Sequence, residues 1–185
     1  MTLTFAALIL LAGPPRFLGP PERKPAQGEP APLSPGDRAP FFSGPVRNAS
    51  AAGAKRFDLA ELVGPRVAAQ RPAKVVLISF FAPDCAACLG ELPVLQSLYT
   101  QYRGQGLHVV SVTRDPAALF RDQQVTYPVI ADPKGTIARQ YLGRNPLYPS
   151  AALISADGKV ASIKKGYQGD PSILLRTEVE STLRQ

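Results

Sequence analysis

The sequence predicts a three-layer α/β domain in which helices cover both faces of a central mixed sheet. Strand-like apolar runs alternate with amphipathic helical runs through most of the chain, as expected of such a domain. The last two strand-like runs flank Asp157-Gly158, a strong β-hairpin signal. With 185 residues, 45% of them hydrophobic and 19% charged, the chain suits one folded domain plus a tail. Wholesale disorder and a multi-span membrane protein are excluded.

The N-terminal region differs in composition from the rest. Residues 2–13 (TLTFAALILLAG) are uncharged and apolar, too short to cross a bilayer as a helix but as long as a signal-peptide core. We therefore expect residues 1–13 to be a signal peptide of a periplasmic or otherwise exported protein, with peripheral membrane association through this segment. A mis-assigned start and a cytoplasmic protein form the alternative. Residues 14–38 are rich in proline and are predicted to be a flexible linker before a domain over residues 39–185.

The first half of the domain is predicted to contain one long central strand. Ala39–Val46 and Ala54–Leu59 indicate a short hairpin or irregular edge, and Asp58 is suited to cap a short helix. Lys74–Phe81 (KVVLISFF) is a continuous β-branched and aromatic run, typical of a strand covered on both faces. A helix is predicted over Cys85–Arg103, with apolar residues at helical spacing at Leu92, Leu95, Leu98, Tyr99 and Tyr102.

The second half continues the alternation of strands and helices. The predicted elements are a strand at Leu107–Thr113, a short helix around Pro116–Asp122, a strand at Val129–Ala131, a helix at Thr136–Leu142, a hairpin of Ala151–Ser155 and Val160–Lys165, and a helix at Pro171–Leu183. The last helix has proline at its first position, which suits a helix start.

The basic residues do not form a nucleic-acid site. The formal net charge is +7, but the arginines and lysines are scattered along the chain without a basic helix or interleaved aromatic residues. Solvated surface charge is the favoured interpretation. Two cysteines and one histidine cannot form a four-ligand zinc site without carboxylates, so no metal is predicted.

The chemical feature of the sequence is Cys85-Ala86-Ala87-Cys88, at the junction of the long strand and the following helix. The first thiol is placed at the helix N-terminus, where unpaired N–H groups and the helix dipole stabilise a thiolate. The second thiol follows one turn later, near enough to close a disulfide. Such a pair exchanges disulfides: the first thiolate attacks a substrate and the second thiol resolves the mixed disulfide. We predict that the two cysteines are a redox-active pair, with a structural disulfide as the alternative.

The segment VVLISFFAPDCAACLGELPVLQSLYTQYRGQGLHVVSV resembles the thioredoxin-like superfamily, most closely the thiol-disulfide oxidoreductases of the ResA and TlpA kind. Those proteins typically carry Cys-x-x-Cys-x-x-Glu-x-Pro, which Cys85, Cys88, Glu91 and Pro93 match. The resemblance covers about Pro40 to the C-terminus. It implies a thioredoxin-like fold with an extra strand-helix insertion, protein thiol or disulfide substrates, an upstream electron donor and no organic cofactor.

Glu91 and Pro93 take their expected roles from this resemblance. Glu91 lies three residues after Cys88, so helical geometry brings its carboxylate beside the active-site turn. The family resemblance makes it a proton acceptor that tunes the thiols, whereas an ordinary solvated helix glutamate is the alternative. Pro93 is expected to kink the helix.

A second landmark of the family is a cis-proline opposite the cysteines. Tyr148-Pro149 and the following SAALI resemble the family's Pro-Thr-x-x-Leu-Ile stretch. The resemblance implies that the Tyr148–Pro149 bond is cis and that the backbone of Tyr148 pairs with the substrate strand.

Asp84 departs from the family, which usually has tryptophan immediately before the first cysteine. A carboxylate there opposes formation of the Cys85 thiolate by like-charge repulsion, so Asp84 is expected to tune the redox properties. The net direction of electron transfer is thereby open, with a reductant of the cell envelope favoured.

Two rival functions remain open from the sequence. Segment 125–135 (VTYPVIADPKG) resembles parts of the related peroxiredoxins, but Ala82 and Ile78 stand where a peroxidatic Cys85 would need a hydroxyl residue and a proline. A copper chaperone would use the two thiolates and His108, although a partly exposed strand histidine is the simpler account.

Overall fold

The computed structural model describes residues 30–65, 67, 72–82, 84–116, 125–166 and 169–185. In chain order the elements of this part are β1 Ser43–Pro45, α1 Ala49–Ala52, β2 Arg56–Asp58, α2 Leu59–Leu62, β3 Val75–Phe81, α3 Ala86–Tyr102, a 3₁₀ turn Arg103–Gln105, β4 Leu107–Thr113, β5 Val129–Ala131, α4 Thr136–Leu142, β6 Ser150–Ser155, β7 Val160–Lys165 and α5 Pro171–Leu183.

Five strands form the central sheet in the order β5-β4-β3-β6-β7. β3 runs parallel to β4, and β4 parallel to β5, whereas β6 is antiparallel to both β3 and β7. The predicted mixed sheet is therefore confirmed. Two pairings matter for the site: Ser79 lies beside Ser111 on β4, and Phe80 lies beside Ser150 on β6.

Two hydrophobic cores cover the two faces of the sheet, which gives three layers. Every residue of β3 is buried, as the continuous apolar run predicts for a strand covered on both faces. One core packs α4, α2 and the β1-β2 hairpin on the sheet, with Phe42, Phe57 and Tyr141 among its aromatic residues. The other packs α3 and α5 on the opposite face through Leu92, Leu95, Leu98, Leu175 and Val179.

Local capping signals fix where several elements begin and end. The Asp58 carboxylate accepts a hydrogen bond from the Ala60 N–H at 3.0 Å, which confirms the predicted cap of α2. α3 continues through Pro93, which is exposed, and ends in a turn closed by Gly106 at φ 103°. A Cβ on Gly106 would lie 2.9 Å from the Lys74 side chain, so glycine suits both the conformation and the space.

The folded domain begins earlier than the predicted boundary at residue 39. The Leu33 N–H donates to the Tyr141 carbonyl at 2.9 Å, the Gly36 N–H donates to the Val160 carbonyl at 2.8 Å, and Leu33 packs on the core. The prediction of a linker through residue 38 is therefore wrong for residues 33–38, because an extended proline-rich chain still offers backbone groups and apolar side chains to a sheet edge.

Three predictions lie wholly or partly outside the described residues. They are the signal peptide at 1–13, the linker over residues 14–29 and the short helix around residues 116–122 beyond its first residue. Among the helices that the structure describes, none has the length and apolar character needed to cross a bilayer.

Candidate functional site

The two cysteines lie where β3 ends and α3 begins, as predicted. Cys85 is the N-cap residue of α3, and its Sγ accepts a hydrogen bond from the Cys88 N–H at 3.1 Å. A sulfur in this position faces the unpaired N–H groups of the first helical turn. The arrangement stabilises negative charge on Cys85 more than a neutral thiol, since a hydrogen bond to an anion is the stronger one.

Cys85 and Cys88 form a disulfide, with an S–S distance of 2.08 Å and a Cα–Cα distance of 5.2 Å. Cys85 is partly exposed, whereas Cys88 is only 1% exposed and belongs to the core under α3. Of the two sulfur-bearing residues, Cys85 is therefore the one that is accessible from solvent. The structure shows the oxidised form of the pair.

Glu91 is buried beneath the cysteine turn. It is 1% exposed, and the Ser79 hydroxyl donates a hydrogen bond to its Oε1 at 3.2 Å. The alternative of an ordinary solvated helix glutamate is thus wrong. A buried carboxyl group one turn after Cys88 is placed to take part in proton transfer, because an apolar surrounding makes its charge state responsive to its few polar neighbours.

Sequence reasoning missed the polar residues that surround Glu91. Ser79 and Ser111 are 1% and 0% exposed and lie side by side on β3 and β4, and Tyr127 is 0% exposed in the segment before β5. The available signal was a serine within the otherwise apolar β3 and another within the largely apolar β4. We call these three residues with Glu91 the buried polar cluster.

The Tyr148–Pro149 peptide bond is cis, as the resemblance implied. Ser150 pairs with Phe80 near the carboxyl end of β3, so the preceding Pro149 lies at the sheet edge from which the cysteine turn departs. The Ser150 hydroxyl donates to the Leu147 carbonyl at 2.7 Å and accepts from the Gly166 N–H at 3.0 Å. These bonds hold the cis-proline loop in place.

Charged side chains surround Tyr148, which is partly buried. Burial raises the pKa of Tyr148 most, and nearby Asp132 adds to the rise, whereas Arg114 and Arg139 oppose it. Asp132 is engaged at the start of α4, because its carboxylate accepts the Thr136 and Ala138 N–H groups at 2.7 and 3.0 Å. Arg114 and Arg139 are thus the cationic side chains whose charges act on Tyr148, opposite in effect to the Asp132 carboxylate.

The structure separates His108 from the cysteines. His108 pairs with Val76 near the start of β3, while Cys85 follows the end of that strand. Burial lowers the pKa of His108. The three-ligand copper site considered from the sequence is therefore not formed, and no cluster of three or more metal-ligating side chains occurs among the described residues.

The remaining sequence-predicted residues keep their places. Asp84 is exposed in the turn before Cys85. Ile78 is buried in β3 and Ala82 follows the strand. These two positions therefore give Cys85 neither the hydroxyl group nor the proline of a peroxidatic site. The cysteine pair, Glu91 and the cis-proline loop thus meet at one edge of the sheet.

Comparison with known proteins agrees with this geometry. A family model described as "AhpC/TSA family" matches residues 35–163. The chain is 32% identical over 99 residues to the thiol-disulfide oxidoreductase ResA of Oceanobacillus iheyensis, covering 50% of this chain and half the length of that relative. It is 30% identical over 135 residues to ResA of Geobacillus thermodenitrificans, covering 69% of this chain and 76% of the relative.

Solved structures share the fold. A putative thiol:disulfide interchange protein DsbE from Chlorobium tepidum superposes with a TM-score of 0.66 at 25% identity, covering 82% of this chain and 99% of that one. The chain therefore belongs to the AhpC/TSA family, as a thioredoxin-like oxidoreductase of the ResA type.

Proposed function

We propose that this protein exchanges the Cys85–Cys88 dithiol and disulfide with protein substrates, acting as a reductant in the cell envelope. The observation that carries the proposal is the Cys85 sulfur at the N-terminus of α3, together with a buried carboxyl group one helical turn after Cys88 on the same helix. A structural disulfide has no use for either feature. The partly exposed first sulfur and the shielded second sulfur fit an attacking and a resolving thiol.

In the reducing direction, the Cys85 thiolate attacks one sulfur of a substrate disulfide. A mixed disulfide forms, the substrate S–S bond breaks, and the leaving substrate thiolate takes a proton from water. The Cys88 thiol then gives its proton to Glu91 and attacks the Cys85 sulfur. This step closes the Cys85–Cys88 disulfide and releases the second substrate thiolate, so two electrons have moved from the protein to the substrate. A dithiol partner protein upstream returns them.

The cis-proline loop is the proposed platform for the substrate. The backbone of Tyr148 pairs with the extended substrate segment, while the Tyr148 side chain and the apolar, 60% exposed Leu147 line its path. The charges of Arg114, Arg139 and Asp132 all act on Tyr148, so charged residues of the substrate segment would interact with this group of side chains. Apocytochrome thiols, another envelope protein and a general disulfide pool are all compatible with this chemistry.

A trapping experiment tests the proposed exchange. Cys88→Ala leaves the attacking thiol but removes the resolving one, so substrates should accumulate on Cys85 as mixed disulfides that mass spectrometry identifies. Cys85→Ala is the matched control, since the thiol that it keeps, that of Cys88, is buried and cannot readily attack a substrate. Equal trapping by both variants, or none by Cys88→Ala, contradicts the assigned roles.

Export is proposed from the apolar stretch at residues 2–13. Protein isolated from its native cell should then begin downstream of residue 12. An intact Met1 terminus in the cytosolic fraction would overturn the proposed location without affecting the dithiol chemistry.

A further inference from the structure

The buried polar cluster is unusual in its surroundings. Ser79, Glu91, Ser111 and Tyr127 are each no more than 1% exposed, in the core that otherwise packs apolar side chains of α3 and α5 on the sheet. Burying polar groups costs free energy unless they interact with one another. Their shared position on the sheet face under α3, around the carboxyl group of Glu91, indicates that they act on that group.

Tyr127 is held in place from two sides. The Asn48 side-chain amide donates to the Val125 and Tyr127 carbonyls at 3.0 and 2.9 Å, and its oxygen accepts the Val129 N–H at 3.0 Å. From α3, the Gln96 side chain accepts the Thr126 N–H at 2.7 Å and donates to the Thr126 hydroxyl at 2.9 Å. The segment that carries Tyr127 is thereby fixed to the same helix that carries Glu91.

The hydroxyl of Tyr127 remains protonated in this position. Burial raises its pKa most, the nearby charge of Glu91 adds to the rise, and Ser111 opposes it. Neither the Tyr127 hydroxyl nor that of Ser111 has a hydrogen-bond partner of regular geometry within the described residues. Both are therefore dipoles that can turn toward Glu91 when it becomes charged.

We propose that Tyr127, together with Ser111, is a positioning residue that lets Glu91 carry a negative charge inside the core. This inference rests on the proposed role of Glu91 as acceptor of the Cys88 proton. A carboxyl group surrounded only by apolar atoms would keep its own proton and could not accept another. Ser79 supplies one donor to the anion, and the two further hydroxyl groups supply the rest of the stabilisation.

Other titratable groups do not compete for this role among the described residues. On α3 and its N-cap, the other titratable residues are Cys85, Cys88, Tyr99 and Tyr102. The titratable residue of β4, His108, lies at the opposite edge of the sheet. On α5, Arg176 and Glu180 form hydrogen bonds with Tyr102. Tyr102 is the last residue of α3, at the end of that helix away from the cysteines.

The test is a titration of Glu91 in the reduced, full-length protein labelled with ¹³C at glutamate side-chain carboxyls. The Glu91 signal is the one that disappears in Glu91→Gln. We expect Tyr127→Phe and Ser111→Ala each to raise its titration midpoint by about half a unit to one unit, because each removes a dipole that favours the anion. Tyr99→Phe is the matched control, since the Tyr99 ring packs against Tyr127 with the ring centroids 6.1 Å apart but lies outside the cluster.

The pH profile of mixed-disulfide resolution should move with the Glu91 midpoint in the same variants. An unchanged midpoint in both Tyr127→Phe and Ser111→Ala overturns the inference, and Ser111→Ala alone decides it if Tyr127→Phe does not fold. The proposed role of Glu91 as proton acceptor fails separately, if Glu91→Gln resolves mixed disulfides with the wild-type pH profile, and the proposed exchange itself fails only if Cys88→Ala traps no substrate.

Discussion

Replacing Asp84 by asparagine removes a negative charge next to the attacking sulfur. Cys85 caps α3, and its sulfur accepts the Cys88 N–H at 3.1 Å, so the helix N-terminus stabilises the thiolate. The Asp84 charge acts against this stabilisation. Because Asp84 is exposed, solvent and salt screen its charge. Its interaction energy with the thiolate is therefore expected to be that of a typical surface charge.

A surface charge at a helix end is worth about 0.3–1 kcal/mol, and one pKa unit corresponds to about 1.4 kcal/mol. Asp84→Asn should therefore lower the pKa of the Cys85 thiol by about 0.2–0.7 unit. A more stable thiolate favours the dithiol over the disulfide, so the reduction potential should rise by about 6–20 mV. By the same reasoning, we expect the native Asp84 to bias the protein toward acting as a reductant.

Thiolate absorbance titration and a glutathione redox equilibrium measure the two quantities. Glu61→Gln is the matched control, since it removes an exposed carboxylate on α2, which lies by the β6-β7 turn at the opposite edge of the sheet. The Asp84→Asn shift should shrink at about 1 M salt, where the Debye length is roughly 3 Å. If the asparagine variant titrates at the same or a higher pH, Asp84 does not act on the sulfur and the reducing bias has no basis.

Three further outcomes are expected. In the reduced protein, iodoacetamide should modify Cys85 several times faster than Cys88, because Cys88 is only 1% exposed. The two modification rates should converge in urea, where the fold no longer shields Cys88. Equal rates in the folded state would contradict the roles assigned to the two thiols. Burial lowers the pKa of His108, so the unfolded chain binds a proton at this imidazole more tightly than the folded protein does. The free energy of unfolding should therefore fall as pH drops below about 6.5, the usual pKa of histidine. His108→Gln should reduce this pH dependence. Asn48→Ala should reduce the free energy of unfolding, measured by urea titration, by about 2 kcal/mol, because three backbone groups lose their hydrogen-bond partner. Ser50→Ala, at an exposed neighbouring position, is the control and should change the free energy of unfolding little. An equally small change for Asn48→Ala would mean that water replaces the side-chain amide.

The positions of the elements and of the cysteine pair follow from local sequence. β4, β5, α4, β7 and α5 have the predicted bounds, because hydrophobic periodicity, turn residues and helix caps act within a few residues of one another. The same local pattern places Cys85 at a helix start. The cis bond before Pro149 was expected only by family resemblance, since most bonds that precede proline are trans.

The environment of Glu91 was decided by the tertiary structure. Its spacing from Cys88 is the same for a solvated and for a buried carboxylate, and only the packing of α3 on the sheet buries it. Ser79, Ser111 and Tyr127 are distant from one another along the chain, and the parallel register of β3 and β4 brings the two serines side by side. Burial and register depend on which surfaces meet after the chain folds, so no local pattern around any one of these residues contains that information.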